Sequence, residues 1–199
     1  MHKDGIIVSI YQLLKRFPDE SAARAYIEER RWHGKPICPY CGANHRIQQR
    51  KLNSYFRCPS CKKDFTVRVG TIFERSHVPL DKWIFAMYLL VTASKGISSL
   101  QLSKEIGVTQ KTAWFMLQRL REACGNNEGD LPSGIAVLNR GFYGVYHSFS
   151  NKHLHRYVDE FSFRLNEGSC RVHSLERINA LVRRTIGVRL TYKALVNAR

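Results

Sequence analysis

The sequence is short of acid. Against 32 lysines and arginines stand only 16 aspartates and glutamates, giving a formal charge of +16 and an isoelectric point near 9.9. That imbalance opposes compaction by self-repulsion unless something anionic is bound. A ribosome-associated protein, a soluble basic protein and a binder of anionic membranes share this composition, so the choice between them and a nucleic-acid binder falls to the motifs. Also missing is any apolar run near the ~20 residues of a membrane span. The best run, Ile84 to Val91, lies between Lys82 and Lys95, so no membrane partner is expected. Met1 to Phe17 has no continuous apolar stretch followed by a small-residue cleavage site, so no signal peptide is expected. The expected setting is the cytosol, where thiols stay reduced and paired CxxC units more often hold metal than disulfides. Internal repeats and low-complexity tracts are lacking too.

What is present suits a globular chain. Its 199 residues are 44% hydrophobic and 11% aromatic, enough for one or two modest domains without disulfides. Residues 1–35 predict two short helices split at Phe17-Pro18, the second capped by Asp19 and carrying Ala23, Tyr26 and Ile27 on its apolar side. Residues 36–75 turn to strand-and-turn composition with four cysteines. From 76 to 124 the pattern is helical again: apolar residues at 80, 83, 84, 87, 90 and 91, then two shorter helices over roughly 99–106 and 110–123. Residues 125–134 form a turn-rich linker without periodicity, the clearest boundary in the chain. In 135–199 two more helices are expected. One is capped by Ser150 and bears Leu154, Tyr157, Val158, Phe161 and Leu165 on one face; the other spans about Ser174 to Thr185.

Cys38-Pro-Tyr-Cys41 and Cys58-Pro-Ser-Cys61 make C-x2-C-x16-C-x2-C, the spacing of a structural zinc site. Four thiolates close a tetrahedron and leave no open position, so one structural Zn2+ is expected, with no catalytic role. Redox pairs or disulfides are the alternative. Such a centre carries a formal charge of −2, which Arg57, Lys62 and Lys63 stand close enough in sequence to offset. Arg46, Arg50, Lys51, Tyr55, Arg57, Lys62, Lys63, Phe65 and Arg68 interleave cations with aromatic and polar residues, a pattern suited on strands to following phosphates. A merely solvated basic face is the alternative. Cys124 and Cys170 have no partner at ligand spacing and are taken as free thiols.

Residues 97–121 fit a helix-turn-helix. Ser98 and Gln101 offer a capping box, Gly107 a residue tolerant of positive φ in the turn, and Thr109 a cap for the second helix. Leu102, Ile106, Val108, Ala113, Leu117 and Leu120 would form the buried seam, with small residues at Ser103 and Ala113 letting the helices cross closely. The candidate contacts to double-stranded DNA are then Thr109, Gln110, Lys111 and Thr112 at the start of the recognition helix, with Gln118 and Arg119 further along. Arg50, Lys51 and Arg57 of the ribbon join them. Trp114 and Phe115 are read as packing residues rather than thymine-methyl contacts. An ordinary helical hairpin is the alternative for the whole motif.

These stretches, above all CPYCG at 38–42, FRCPSCKKDFTVRVGTIFERSHVPLDKW at 56–83 and KGISSLQLSKEIGVTQKTAWFMLQRLREA at 95–123, resemble the N-terminal half of insertion-sequence transposases with a zinc ribbon before a DDE-type domain. LNRGFYGVYHSFSNKHLHRYVDEFSFRLNEG at 138–168 and RRTIGVRLTYKAL at 183–195 resemble the end of the same family's catalytic domain and its tail. The resemblance implies a mainly α chain with a small β zinc ribbon, a helix-turn-helix and then a helical remnant of an RNase H-like domain. In that family three acidic residues hold two divalent metals for phosphoryl transfer. The first two would fall between Cys124 and Leu138, where only the short linker stands, and the third falls near Pro132. Glu128 and Asp130 lie in a glycine-rich loop, and Asp159 and Glu160 are neighbours on a helix and point apart. Catalytic Mg2+ is therefore not expected, and no catalytic residue is assigned. His147, His153 and His155 could suggest a second metal but are read as surface residues on a basic segment.

The function expected is that of a DNA-binding protein derived from such a transposase, catalytically inactive and cytoplasmic in a bacterial-type cell, with the nucleoid. A residually active transposase and a transcription-type regulator are the alternatives. With the catalytic middle gone, the apolar stripe of 154–165 would be left to self-association, docking on the N-terminal part, or aggregation. Association with an intact transposase is a further expectation. Residues 1–124 are expected to fold by themselves and the C-terminal part to be helical but loosely placed.

Overall fold

The computed structural model describes residues 8–50, 54–93, 95–125, 151–166 and 172–197. Helix α1 (Ile10–Arg16) opens on a reciprocal capping box, in which Ser9 and Gln12 each bond the other's backbone N–H. Helix α2 (Glu20–Trp32) is capped by Asp19, whose carboxylate accepts from the Ala22 N–H at 2.8 Å, and closes at His33 in the left-handed region. Both helices and the Asp19 cap are those expected from the sequence.

Three two-residue strands follow, β1 (Gln48–Gln49), β2 (Phe56–Arg57) and β3 (Asp64–Phe65), in an antiparallel meander. The register pairs Gln49 with Phe56, Phe56 with Phe65, and Arg57 with Asp64. Alternation then sends Phe56 and Phe65 to one face, where they pack 5.6 Å apart and meet Trp32 of α2 at 5.1 and 5.9 Å. The opposite face keeps Arg57 beside Asp64. Strands this short cannot bury enough surface to hold themselves, so the aromatic triad and the cysteine knuckles do it together.

Helix α3 (Leu80–Thr92) is the central strut. Leu80, Trp83, Ile84, Ala86, Met87, Tyr88, Leu90 and Val91 are all buried, because neighbours close around it on several sides. Helices α4 (Ser99–Ile106) and α5 (Gln110–Cys124) pack beside it. A 3-10 turn (Asn151–His153) leads into α6 (Leu154–Asn166), and α7 (Ser174–Arg184) and a short α8 (Tyr192–Asn197) complete the described elements. Ser150, the cap expected for α6, lies outside the described residues, and α8 was not foreseen.

The described C-terminal helices are packed rather than loosely placed. Ile178, Leu181 and Val182 of α7 are fully buried, against α2 and α3. Asn179 accepts from Tyr26 and, at 2.9 Å, from Arg30, while Ser174 accepts from the Val8 N–H at 2.9 Å. Beyond α7 the backbone joins the loop before α3, with Ile72 N–H donating to the Thr185 carbonyl and Gly187 N–H to the Gly70 carbonyl. Helix α6 docks on α5 by the stripe that the sequence left unpartnered: Tyr157 and Phe161 are buried, and of the five stripe residues only Leu165 stays exposed. Of the three fates expected for this stripe, the chain adopts docking on the N-terminal part. The described residues of 8–124 and 151–197 share one core, and the physical reason is that α3 and α5 still need cover on the sides that α4 does not reach.

Candidate metal centre and nucleic-acid interface

The two CxxC units are built as matching turns. Cys38 N–H donates to the Ala43 carbonyl at 2.8 Å and Cys58 N–H to the Lys63 carbonyl at 3.0 Å. The residue after each second cysteine, Gly42 or Lys62, takes positive φ, at 73° and 57°. That left-handed step turns the chain back, so that each pair of sulfurs points to one spot. Cys38 and Cys61 lie 3.6 Å apart at sulfur, as do Cys41 and Cys58, and all four sulfurs fall within 4.8 Å of one another. A tetrahedron with Zn–S bonds of about 2.3 Å has edges of about 3.8 Å, so the set fits one structural Zn2+. The Cys61 N–H, with help from the Cys41 thiol, holds the Cys58 thiol down to about 6. The Ala43 N–H acts in the same sense on Cys41, but desolvation and its three thiol neighbours push it up to about 12. Four sulfurs this close share protons badly, and a dication that accepts four thiolates relieves the conflict.

Around this centre the cations divide. Arg46, Arg50, Lys62 and Lys63 are exposed, Lys63 lying over the Tyr40 ring at 4.9 Å. Arg50 and Arg57 both reach Asp64, at 3.3 and 3.2 Å, so one carboxylate offsets part of their charge. Lys51 lies outside the described residues. Arg68 and Arg31 point inward: Arg68 donates to the Ser76 and Val78 carbonyls and to Glu20, and Arg31 to the Val67 and Val69 carbonyls. These two tie the ribbon to the helices, a role that sequence spacing cannot signal.

Helices α4 and α5 form the expected pair. Ser98 accepts from the Gln101 N–H at 3.1 Å, Gly107 turns at φ 62°, and Thr109 accepts from the Thr112 N–H at 3.2 Å. Leu102, Ile106, Ala113, Leu117 and Leu120 are buried, Val108 is half-buried, and Ser103 and Ala113 are buried as expected of close-crossing positions. Thr109, Gln110 and Lys111 are exposed at the tip of α5, and Thr112 is half-buried.

Two expected DNA contacts are corrected. Gln118 is fully buried, and Arg119 is only 6% exposed, donating to the carbonyls of Ile72, Glu74 and Leu190 at 2.6, 3.0 and 3.1 Å. Burial lowers the Arg119 pKa to about 10, with Glu74 opposing the shift. The loop before α3 and Leu190 close over Arg119, a cover that a motif-based reading cannot see. Trp114 and Phe115 are packing residues, meeting His153 and Tyr192 at ring centroids 5.7 and 5.9 Å apart. His153 is buried and bonded to Arg156 at 3.0 Å, which corrects its reading as a surface residue; His147 lies outside the described residues. Cys124 is buried, and that burial raises its pKa well above the ordinary range; Cys170 is outside the described residues. Among the described residues, the four ribbon cysteines are the one group of ligating side chains placed to hold a metal.

The four-cysteine ribbon is joined through α3 to a helical pair whose second helix keeps a capped tip bearing Lys111. Residues 18–64 match the family described as transposase zinc-ribbon domain, and residues 131–166 match the ISXO2-like transposase domain. A protein described as an uncharacterized protein in transposable element ISH50, from Halobacterium salinarum, is 33% identical over 112 residues. That match covers 55% of this chain and 37% of the relative, so the chain spans well under half of the protein it resembles. Two stretches of the chain, 18–64 and 131–166, are thus similar to a transposase zinc ribbon and to part of a transposase domain. No solved structure matches it. No described helix is long and apolar enough to cross a membrane.

Proposed function

We propose that this chain is a double-stranded-DNA-binding protein derived from an insertion-sequence transposase and that it does not carry out strand transfer. The observation that carries the DNA-binding reading is the exposed α5 tip. Gln110 and Lys111 are exposed beside a side-chain-capped helix start that has no acid in its first turn, on a chain of charge +16. Gln can pair bidentately with adenine and Lys can reach guanine or phosphate. The ribbon's exposed Arg46, Arg50, Lys62 and Lys63 supply further phosphate contacts.

The catalytic reading has less to draw on. Glu160 is fully buried against Arg121, Glu122 pairs with Arg156, and Glu74 pairs with Arg189, so these carboxylates are engaged by arginines. The interval in which the family's first two aspartates would fall is only a short polar linker. Fragments carrying the ends of the parent element are the natural DNA to bind, which would let the chain compete or associate with an intact transposase and keep it with the nucleoid.

The test is a gel-shift titration of the zinc-loaded chain on element-end and unrelated duplexes over a range of salt. Affinity is expected to fall steeply as salt rises. Incubation of end-labelled duplex with Mg2+ or Mn2+ is expected to leave it intact. Reproducible metal-dependent nicking would restore the enzyme reading.

A further inference from the structure

The segment after α7 crosses the outer face of the recognition helix. Leu190 supplies a carbonyl to Arg119, Tyr192 packs on Phe115, and the Lys111 ammonium sits 5.5 Å from the Tyr192 ring centre. Lys152 donates to the Val196 carbonyl at 3.2 Å, next to the His153 that meets Trp114. So three turns of α5 are sheathed, and only its tip is open. Two functions fit a sheath: it hides the helix from DNA, or it belongs to the surface that meets DNA.

Charge decides between them. A segment that masks a cationic tip gains by carrying acid, imitating the ligand it keeps out. Residues 183–197 hold Arg183, Arg184, Arg189 and Lys193 and no acid at all. Arg184 is spent inside on the Cys124 carbonyl and Arg189 pairs with Glu74, but Lys193 is exposed, and Tyr192 is 50% exposed beside Lys111. Cations placed beside a cationic tip repel it in the free protein and are relieved only by a shared polyanion.

We propose that α8 and its lead-in form a second wall of the DNA surface. Lys193 and Lys152 take backbone phosphates flanking the groove that Gln110 and Lys111 enter, and the Tyr192 ring holds the Lys111 ammonium at the tip. The tip thus meets the duplex end-on, with the sheathed turns of α5 staying inside the protein. This rests on the DNA-binding reading and adds contacts on a segment which that reading does not use.

The experiment is a salt series of duplex affinities for the zinc-loaded full chain, Lys111→Ala, Lys193→Ala and Lys193→Glu, with thermal melts to show that each exposed-site variant is folded. Lys193→Ala is expected to make the slope of log affinity against log salt shallower by about 0.9, the share of one phosphate contact. A rise from 50 to 200 mM salt then costs this variant roughly threefold less affinity than it costs the parent. Lys193→Glu is expected to bind more weakly than Lys193→Ala. An unchanged slope in Lys193→Ala with a weakened Lys111→Ala overturns this inference and leaves the DNA-binding reading standing. Tighter binding by a folded Tyr192→Ala variant also overturns it, since loosening a mask frees the helix it covers. A folded, zinc-loaded parent that binds no duplex takes down both.

Discussion

Arg121 and Glu160 meet at 2.7 Å with 1% and 0% of their side chains exposed, joining α5 to α6 inside the core. Arg121 also lies 4.1 Å from the Tyr157 ring centre, and Arg164 reaches Glu160 one turn along α6 at 3.5 Å. A buried pair of this kind is costly to break from one side, because the partner left behind keeps its charge without water. Glu160→Gln or Arg121→Met should lower unfolding stability by about 3–5 kcal/mol. The double variant Arg121→Met/Glu160→Leu should recover most of that loss. Denaturant titration of the three variants checks it, and a double variant weaker than both singles would show that the pair is not the unit we describe.

Arg119 offers a sharper distinction. With three carbonyls bonded and almost no exposure, Arg119→Ala should destabilise the fold by roughly 2–3 kcal/mol or more, since bonds from a charged donor are among the stronger ones. Its salt dependence of DNA binding should match the parent's. Lys111→Ala should do the reverse, leaving the melting temperature within a degree or two and weakening DNA binding. Loss of one unit of salt slope in Arg119→Ala would mean that the residue reaches DNA after all.

The ribbon should depend on its metal. Cys58→Ser, or chelation of the wild type, is expected to unfold residues 36–75, because metal binding and folding of such a centre are one equilibrium. Metal analysis should find one zinc per chain, and the aromatic signal of the Trp32, Phe56 and Phe65 cluster should collapse with its removal. An unchanged near-UV spectrum after complete chelation would refute it.

Asp159 provides a pH prediction. Burial raises its pKa in the folded protein, with Glu122 adding to the rise and His155 and Arg156 opposing it. A carboxyl whose folded pKa is raised contributes stability below its unfolded pKa, and loses that contribution as pH climbs through the folded value. Asp159→Asn should therefore be more stable than the parent at neutral pH, and the difference should shrink as pH falls toward 4. Unfolding curves at a series of pH values read this directly. A difference that grows on acidification would reverse the assignment.

Much of the site was legible from local chemistry. The CxxC spacing names the four ligands, since a two-residue gap closes a turn with both sulfurs on one side. Asp19, Ser98 and Thr109 announce helix starts through side chains that satisfy the backbone amides three residues on. Gly107 marks the turn between α4 and α5 because it accepts a left-handed backbone cheaply. Each of these signals is complete within a few residues.

The sequence by itself determined the ribbon, the helix pair and the cationic balance that points to DNA, since all three rest on spacing, caps and composition. Tertiary structure alone decided which faces stay open. Gln118 and Arg119 sit at positions that a free recognition helix would present, yet both are buried, Arg119 under Leu190 and the loop before α3. The stripe of 154–165 reads as an orphaned surface until α5 covers it. Which face of an amphipathic helix meets solvent is settled by partners tens of residues away, and burial of a charge such as Arg121 is tolerable only where a distant Glu160 arrives to meet it.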